Sequence, residues 1–201
     1  MRGGGDLARA RVAATLLLTL PGLPFIYYGE EIGMTGDKPD PRLRTPMQWS
    51  PRPGVGFTTG TPWEAPQPDS MRTNVARQDR DPGSLLNLYR RLIHLRKQNE
   101  ALATGRLVPL SASSPQVVAY LRRGGGRAVL VVANLGDVTV SGVAIGSEPG
   151  GLTAGRYTAR NLLRGPSGAA LRVGPDGRIQ GYVPAATIGS RKSLVLDLVR
   201  Q

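Results

Sequence analysis

Residues 20–49, LPGLPFIYYGEEIGMTGDKPDPRLRTPMQW, constrain what this chain can fold into more than any other stretch. The run Phe25-Ile26-Tyr27-Tyr28 is apolar on both faces, opens after Pro24 and stops at Gly29. Such a run reads as a short strand covered on both sides, as in a parallel sheet. Two carboxylates, Glu30 and Glu31, follow at once, and then a loop rich in Pro and Arg. The segment before it predicts a helix over residues 6–20, with Asp6 as cap and Pro21-Gly22 as stop. Its apolar side would hold Leu7, Val12, Leu16, Leu17 and Leu20. Helix, short link and buried strand make one step of an α/β fold. Charged residues just past the strand's C-terminal end sit where such folds carry their chemistry.

The first twenty residues also imitate a secretory leader. Asp6 is acidic, Arg9 and Arg11 interrupt the apolar run, and no small-residue cleavage pattern follows, so an amphipathic helix is the better reading. The run is also too short to span a bilayer. There are no cysteines, which excludes a disulfide framework and a thiolate metal site. The formal net charge is +12. Residues 101–201 hold 12 basic and 4 acidic side chains, scattered among Gly, Pro and Val rather than gathered on one helix face. Nucleic-acid binders cluster their charge, so the excess reads as a solvated surface and no nucleic-acid partner is expected.

Residues 30–80 form a long irregular segment, and loops of that length are functional or disordered. Trp49, Phe57 and Trp63 argue for order, because such side chains seek burial. Asp81-Pro82-Gly83-Ser84 predicts a helix start, with Asp81 as cap and Pro82 at the first helical position. Leu85, Leu88, Tyr89, Leu92, Leu95 and Arg96 then recur at helical spacing, with Arg96 expected to snorkel. After Asn99 the texture turns β-rich. Runs at 117–121, 128–134, 138–145, 155–160 and 193–198 are separated by turn signals and predict an antiparallel β-sandwich. The expected division is 1–103, α/β, and 104–201, all-β. Gly124-Gly125-Gly126 has no following Lys-Ser/Thr and reads as a hairpin turn rather than a phosphate loop. His94, the one histidine, sits on a helix without metal-ligand neighbours and reads as a surface residue.

The stretch from Pro24 to Trp49, with Tyr-x-Gly-Glu-Glu at 28–31 and Arg44-Thr45-Pro46-Met47-Gln48-Trp49, resembles the last barrel strand and following loop of the α-amylase superfamily, glycoside hydrolase family 13. Gly56-Phe57-Thr58-Thr59-Gly60 and Pro62-Trp63 extend the likeness to its α-glucosidase, oligo-1,6-glucosidase and trehalose synthase branch. The resemblance implies the last part of a (β/α)8 TIM barrel followed by a C-terminal β-sandwich. A whole barrel takes about 250 residues. The expectation is therefore a piece of a retaining α-glucoside or α-glucan hydrolase, or of a trehalose synthase or transglycosylase of that superfamily. No cofactor, metal or membrane partner is expected from the residues, and the compartment stays open, with the cytoplasm favoured for an α-glucosidase-type parent. Its substrate would be an α-linked oligosaccharide or glucan.

A retaining glycosidase needs two carboxyl groups about 5 Å apart across the scissile bond. Glu30 and Glu31 are adjacent, and adjacent side chains on an extended segment point to opposite faces. The family's nucleophile and acid/base lie on earlier strands, and no FxxNHD-like segment precedes the helix at Asp6. No catalytic residue is assigned, and this chain is expected to be inactive alone. Arg44 is the best binding candidate, because Arg is a rigid, multidentate donor for hydroxyl-rich ligands. In the resembled branch the matching arginine pairs with an early barrel Asp and holds the nonreducing glucose. Glu30 and Glu31 would anchor the loop or touch sugar. Trp49 and Phe57 would anchor the loop core or stack on a pyranose. A reading from another class is a stand-alone carbohydrate-binding β-sandwich. It needs a row of exposed aromatics, and residues 101–201 offer only Tyr120, Tyr157 and Tyr182.

Overall fold

The computed structural model of the protein describes residues 3–201, with side chains from Leu7 onward. By Cα proximity the chain falls into two units. One takes the residues through Ala14 together with Pro24–Arg91, and the other takes Thr15–Leu23 with Leu92–Gln201. Two helices, α1 (Gly3–Thr19) and α4 (Leu85–Gln98), contribute to both.

Helix α1 starts at Gly3, so Asp6 lies inside it and is not its cap. Its buried positions are Ala10, Val12, Ala14, Thr15, Leu18 and Thr19, whereas Leu7 and Leu20 are exposed. Ala and Thr fill much of its surface and Arg9 and Arg11 fall on different sides, so periodicity alone could not select its buried stripe.

The predicted strand at 25–28 is not formed. The segment pairs with no strand among the described residues and enters a turn at Tyr28, and Phe25 is 84% exposed, with Leu23, Ile26, Tyr27 and Tyr28 open as well. A strand exists only through a neighbour that takes its N–H and C=O groups.

The loop beyond it is ordered by short helical turns: Glu30–Ile32, α2 (Asp40–Leu43), Pro53–Gly56 and α3 (Val75–Arg80). Its apolar centre is small: Ile32, Met47 and Leu86, with Met34 and Val75 against them. Buried amides supply the rest. Gln78 donates to the Ile32 carbonyl at 2.6 Å and accepts from the Leu86 amide at 3.1 Å. Asn74, fully buried, caps α3 by accepting from the Arg77 amide at 3.0 Å. Helix α4 begins three residues later than its Asp-Pro signal suggests. Asp81 instead closes an Asx turn on the Gly83 amide at 2.7 Å, and Ser84 is the cap, its Oγ accepting from the Asn87 amide at 3.1 Å.

The other unit is an antiparallel β domain. Its seven-stranded sheet runs β5-β1-β2-β3-β9-β6-β7, and a second sheet pairs β4 with β8. The strands are β1 (Arg106–Ala112), β2 (Val117–Gly124), β3 (Arg127–Asn134), β4 (Val140–Ser141), β5 (Ile145–Gly146), β6 (Gly155–Asn161), β7 (Gly168–Val173), β8 (Thr187–Ile188) and β9 (Ser193–Arg200). The expected single run at 138–145 is two strands. Gly142, at φ 59°, breaks it, and β4 and β5 pair with different partners. The β2–β3 hairpin turns on Gly125 and Gly126, with φ of 56° and 71°, the left-handed pair a two-residue turn requires.

Alternation sorts the sheet into two faces. Leu121, Leu130, Val132, Tyr157, Ala159, Leu196 and Leu198 face an inner core that Val143, Ile145, Ile179 and Ile188 close from the other side. Tyr120, Val129, Val131 and Val195 face outward onto α5 (Glu100–Ala103), with Leu16 of α1 and Leu95 of α4 packed against the same cluster. Strand β3 is therefore buried on both faces.

Arg122 follows Tyr120 on that outer face and is 1% exposed. Its guanidinium donates to the Thr19 carbonyl at 2.5 Å and the Gly105 carbonyl at 2.7 Å. Arg96 does not snorkel. It is buried and donates to the carbonyls of Leu18 at 3.1 Å, Leu20 at 2.8 Å and Gly22 at 2.6 Å. Among the described residues no helix is long and apolar enough to cross a membrane. Arg122→Met keeps the bulk and leaves two buried carbonyls without their charged donor. The unfolding free energy should fall by about 2–4 kcal/mol, read as a lower urea midpoint at unchanged slope.

Candidate functional site

The exposed aromatic residues of the loop converge on one open hollow of about 440 Å³. Tyr28, Trp49, Phe57 and Trp63 form its rings, Thr45-Pro46-Met47 its floor, and Arg44 and Glu31 its polar edge. Trp49, Phe57 and Trp63 are 49%, 53% and 64% exposed, so they do not anchor the loop by burial as their bulk suggested.

The backbone beneath them is fixed by polar contacts instead. The Tyr28 hydroxyl donates to the Thr45 carbonyl at 3.0 Å. The amides of Val75 and Ala76 donate to the carbonyls of Gln48 and Trp49 at 2.9 and 3.0 Å. Gln48, fully buried, donates its side-chain amide to the Thr73 carbonyl. The amides of Trp49 and Ser50 both reach the Val55 carbonyl, at 3.0 and 2.9 Å. Val55 is buried at φ 50° between Gly54 at 65° and Gly56 at 72°. A β-branched residue in the left-handed region is strained, and such strain concentrates at functional loops. A side chain at Gly56 would meet Ser50 Oγ at 2.7 Å, so the turn closes only with glycine there.

The two adjacent carboxylates have different surroundings. Glu30 Oε1 accepts from the Tyr89 hydroxyl of α4 at 3.0 Å. Burial, and then the Glu30 carboxylate, push the Tyr89 phenol well above its ordinary range. Glu31 turns to the hollow, and its buried Oε2 has no hydrogen-bond partner. Arg44 lies on the rim in an exposed ion pair with Asp40 of α2, 2.9 Å away. The Tyr28 hydroxyl is also pushed up, mainly by burial, with Tyr27 adding to the shift and Arg44 opposing it.

Of the sequence-derived candidates, Arg44, Glu31, Trp49 and Phe57 thus share one wall, and Glu30 stands behind it. The sequence pattern places Tyr28 in a strand and Tyr89 on an apolar helix stripe, and neither pattern marks its phenol as a polar group. His94 is exposed, and no cluster of possible metal ligands occurs among the described residues. Tyr120, Tyr157 and Tyr182 are all buried, so the β domain has no exposed tyrosine row on which a saccharide could stack.

An aromatic hollow edged by a guanidinium and a carboxylate, on a loop ahead of an antiparallel β domain, is chemistry suited to a hydroxyl-rich ligand. Residues 3–105 match the family model described as the α-amylase catalytic domain, and the chain belongs to the α-amylase family. It is 34% identical over 137 residues to α-amylase 3 of Dictyoglomus thermophilum, covering 67% of this chain and 27% of that protein. It is 42% identical over 148 residues to a trehalose synthase of Thermus thermophilus, covering 68% and 15%. An oligo-1,6-glucosidase of Halalkalibacterium halodurans is 34% identical over 161 residues, with 62% and 29% covered. Among solved structures, the trehalulose synthase of Pseudomonas mesoacidophila MX-45 aligns with a TM-score of 0.71 at 27% identity, over 96% of this chain and 38% of that one. The chain therefore spans well under half the length of these relatives.

The chain's two tryptophans, Trp49 and Trp63, both belong to the hollow, so intrinsic fluorescence reports on it alone. Their emission should be solvent-like and strongly quenched by acrylamide. Trp49→Phe and Trp63→Phe should each leave a single emitter that is still readily quenched. A blue-shifted, protected emitter in either variant would mean that the hollow is closed in solution.

Proposed function

We propose that this chain is the C-terminal part of a retaining enzyme acting on α-glucosidic bonds. In this reading residues 1–103 complete a catalytic (β/α)8 barrel and residues 104–201 form its β-sandwich. The chain supplies part of the saccharide-binding wall, while the catalytic carboxylates lie elsewhere in the enzyme. The hollow is the observation that carries this reading, because it brings Arg44, Glu31, Trp49 and Phe57 together. Supporting it, the apolar segment 23–28 is open on the sides where a barrel strand would have neighbours. Glu30 is engaged by Tyr89 rather than set opposite a second carboxylate as an acid–nucleophile pair would be.

In the assembled enzyme Arg44 exchanges its exposed Asp40 partner for sugar hydroxyls or for a barrel carboxylate. The surface pair costs little to give up, because exposed ion pairs contribute at most about 1 kcal/mol. Trp49 and Phe57 offer faces on which a pyranose can stack. The same wall serves hydrolysis or intramolecular transfer. The trehalose synthase relative keeps the second reading open: an isomerising enzyme of the same family. Product analysis with maltose separates the two, since hydrolysis gives glucose and isomerisation gives a nonreducing disaccharide.

The purified chain should show no sustained release of nitrophenol from a nitrophenyl α-glucoside above a mock preparation. Turnover would place the catalytic pair within these residues and end the reading. In a version extended to a full barrel, Arg44→Ala should lower kcat/KM by about 1.5–3 kcal/mol of transition-state stabilisation. A loss below about threefold with the fold intact removes Arg44 from substrate binding.

A further inference from the structure

At one end of the seven-stranded sheet the inner face changes character. Leu110 and Val108 on β1, Ala119 and Leu121 on β2, and Leu196 and Leu198 on β9 all face the inner core. The next residue in phase on each strand is an arginine: Arg106, Arg123 and Arg200. The register sets them close. Arg106 pairs directly with Arg123 across β1 and β2, and Arg200 pairs with Tyr157 across β9 and β6. Arg127 joins them from the start of β3, beyond the side-chain-free turn at Gly125-Gly126. These four arginines, with Thr153 and Tyr157, line an open pocket of about 430 Å³ whose wall contains no carboxylate.

Only Arg123 is committed. It donates to the carbonyls of Gly150 and Gly151 at 3.0 and 2.7 Å, which fixes its guanidinium in the wall. The Tyr157 hydroxyl is likewise fixed on the Thr153 carbonyl at 2.7 Å. Arg106, Arg127 and Arg200 form no ion pair among the described residues. Elsewhere in the same domain arginines do find carboxylates: the exposed Arg160 with Asp197 and Arg178 with Asp176, and the half-buried Arg191 with Asp137. The Glu100 carboxylate lies against the Gly125 turn beside the pocket but pairs with none of the four arginines. Four like charges lining one pocket repel one another, and an anion relieves that repulsion. Guanidinium forks match phosphate oxygens bidentately. Four formal charges exceed what one orthophosphate neutralises, so a ligand with two or more phosphoryl groups fits better. Arg106, Arg123 and Arg200 end the inner face, and Arg127, in phase with the outward-facing Val129 and Val131, reaches the same pocket from the hairpin end. A single pocket of this size suits a small molecule over a polymer.

The geometry points to a second ligand site in the β domain, a pocket of Arg106, Arg123, Arg127 and Arg200 that binds a small molecule bearing two or more phosphoryl groups. It does not depend on the α-glucosidic reading. The test is isothermal titration of the full chain with inorganic pyrophosphate at fixed ionic strength. ADP and fructose 1,6-bisphosphate serve as separate arms that distinguish a nucleotide from a sugar source. Saturable one-to-one binding, weaker for orthophosphate, is expected. The double variant Arg106→Gln/Arg200→Gln should weaken pyrophosphate about tenfold or more, and Arg127→Gln less, since each removes a charge-assisted contact. Arg164→Gln/Arg172→Gln, with the same net charge but outside the pocket, should bind as the parent does. Absence of saturable pyrophosphate binding overturns the proposal. So does equal weakening by both double variants, or tighter binding of a single-stranded oligonucleotide that both weaken alike, because either marks diffuse surface charge.

Discussion

The C-terminal end of α1 is the constraint on which the β domain rests. The last carbonyls of a helix have no partner within it and carry partial negative charge. Here two buried guanidinium groups meet carbonyls of this end and of the residues just after it. Arg96 gathers the carbonyls of Leu18, Leu20 and Gly22, and Arg122 joins that of Thr19 to that of Gly105. Neither arginine has a carboxylate partner among the described residues. Burial lowers both pKa values, and for Arg122 the neighbouring Arg96 adds to the effect. The Thr19 hydroxyl donates to the Thr15 carbonyl at 2.5 Å and so accepts from the Tyr120 hydroxyl, 2.6 Å away. Helix end and strand β2 are thereby fixed in register, and the outer apolar cluster forms around that fixed point. Gly105 belongs to the same arrangement, since a side chain there would strike the carbonyls of Ala101 and Arg123.

The loop of residues 30–80 is organised on a different principle. Its apolar centre is too small to order some fifty residues, and its largest rings are exposed. Gln48, Asn74 and Gln78 act as internal partners for backbone groups that no helix or sheet satisfies. Polar satisfaction holds the backbone, and the rings are left to face outward.

Local signals were legible in the sequence where the chemistry is local. The α4 helix, the Gly-Gly hairpin, the main β runs and the candidates Arg44, Glu31, Trp49 and Phe57 could all be read from neighbouring residues. What failed depended on partners far along the chain. The strand at 25–28 has the right residues and no neighbour to pair with. In strand β1 Pro109 interrupts the strand pattern, yet the strand lies near the sheet's edge, where a missing N–H is tolerated. β7, GAALRV, is too mixed to announce itself. Arg96 sits on the apolar stripe of its helix, where a snorkelling arginine is expected, and nothing nearby in sequence reveals that Arg96 and Arg122 meet carbonyls about eighty and one hundred positions away. The Asp81 signal was real chemistry at the wrong position, since the same Asp-Pro-Gly-Ser motif holds both an Asx turn and a cap.

The strand order carries a consequence for how the domain comes together. β9, the last strand in sequence, lies between β3 and β6, so it is the seam joining the β5-β1-β2-β3 half of the sheet to the β6-β7 half. The β2–β3 hairpin can zip early, because its partners are adjacent and its turn is short. The two halves share no hydrogen-bonded edge until residues 193–200 arrive. During vectorial synthesis the β3 and β6 edges therefore wait unpaired, each a template for a stray strand. The long-range insertion of β9 is what ends this exposure.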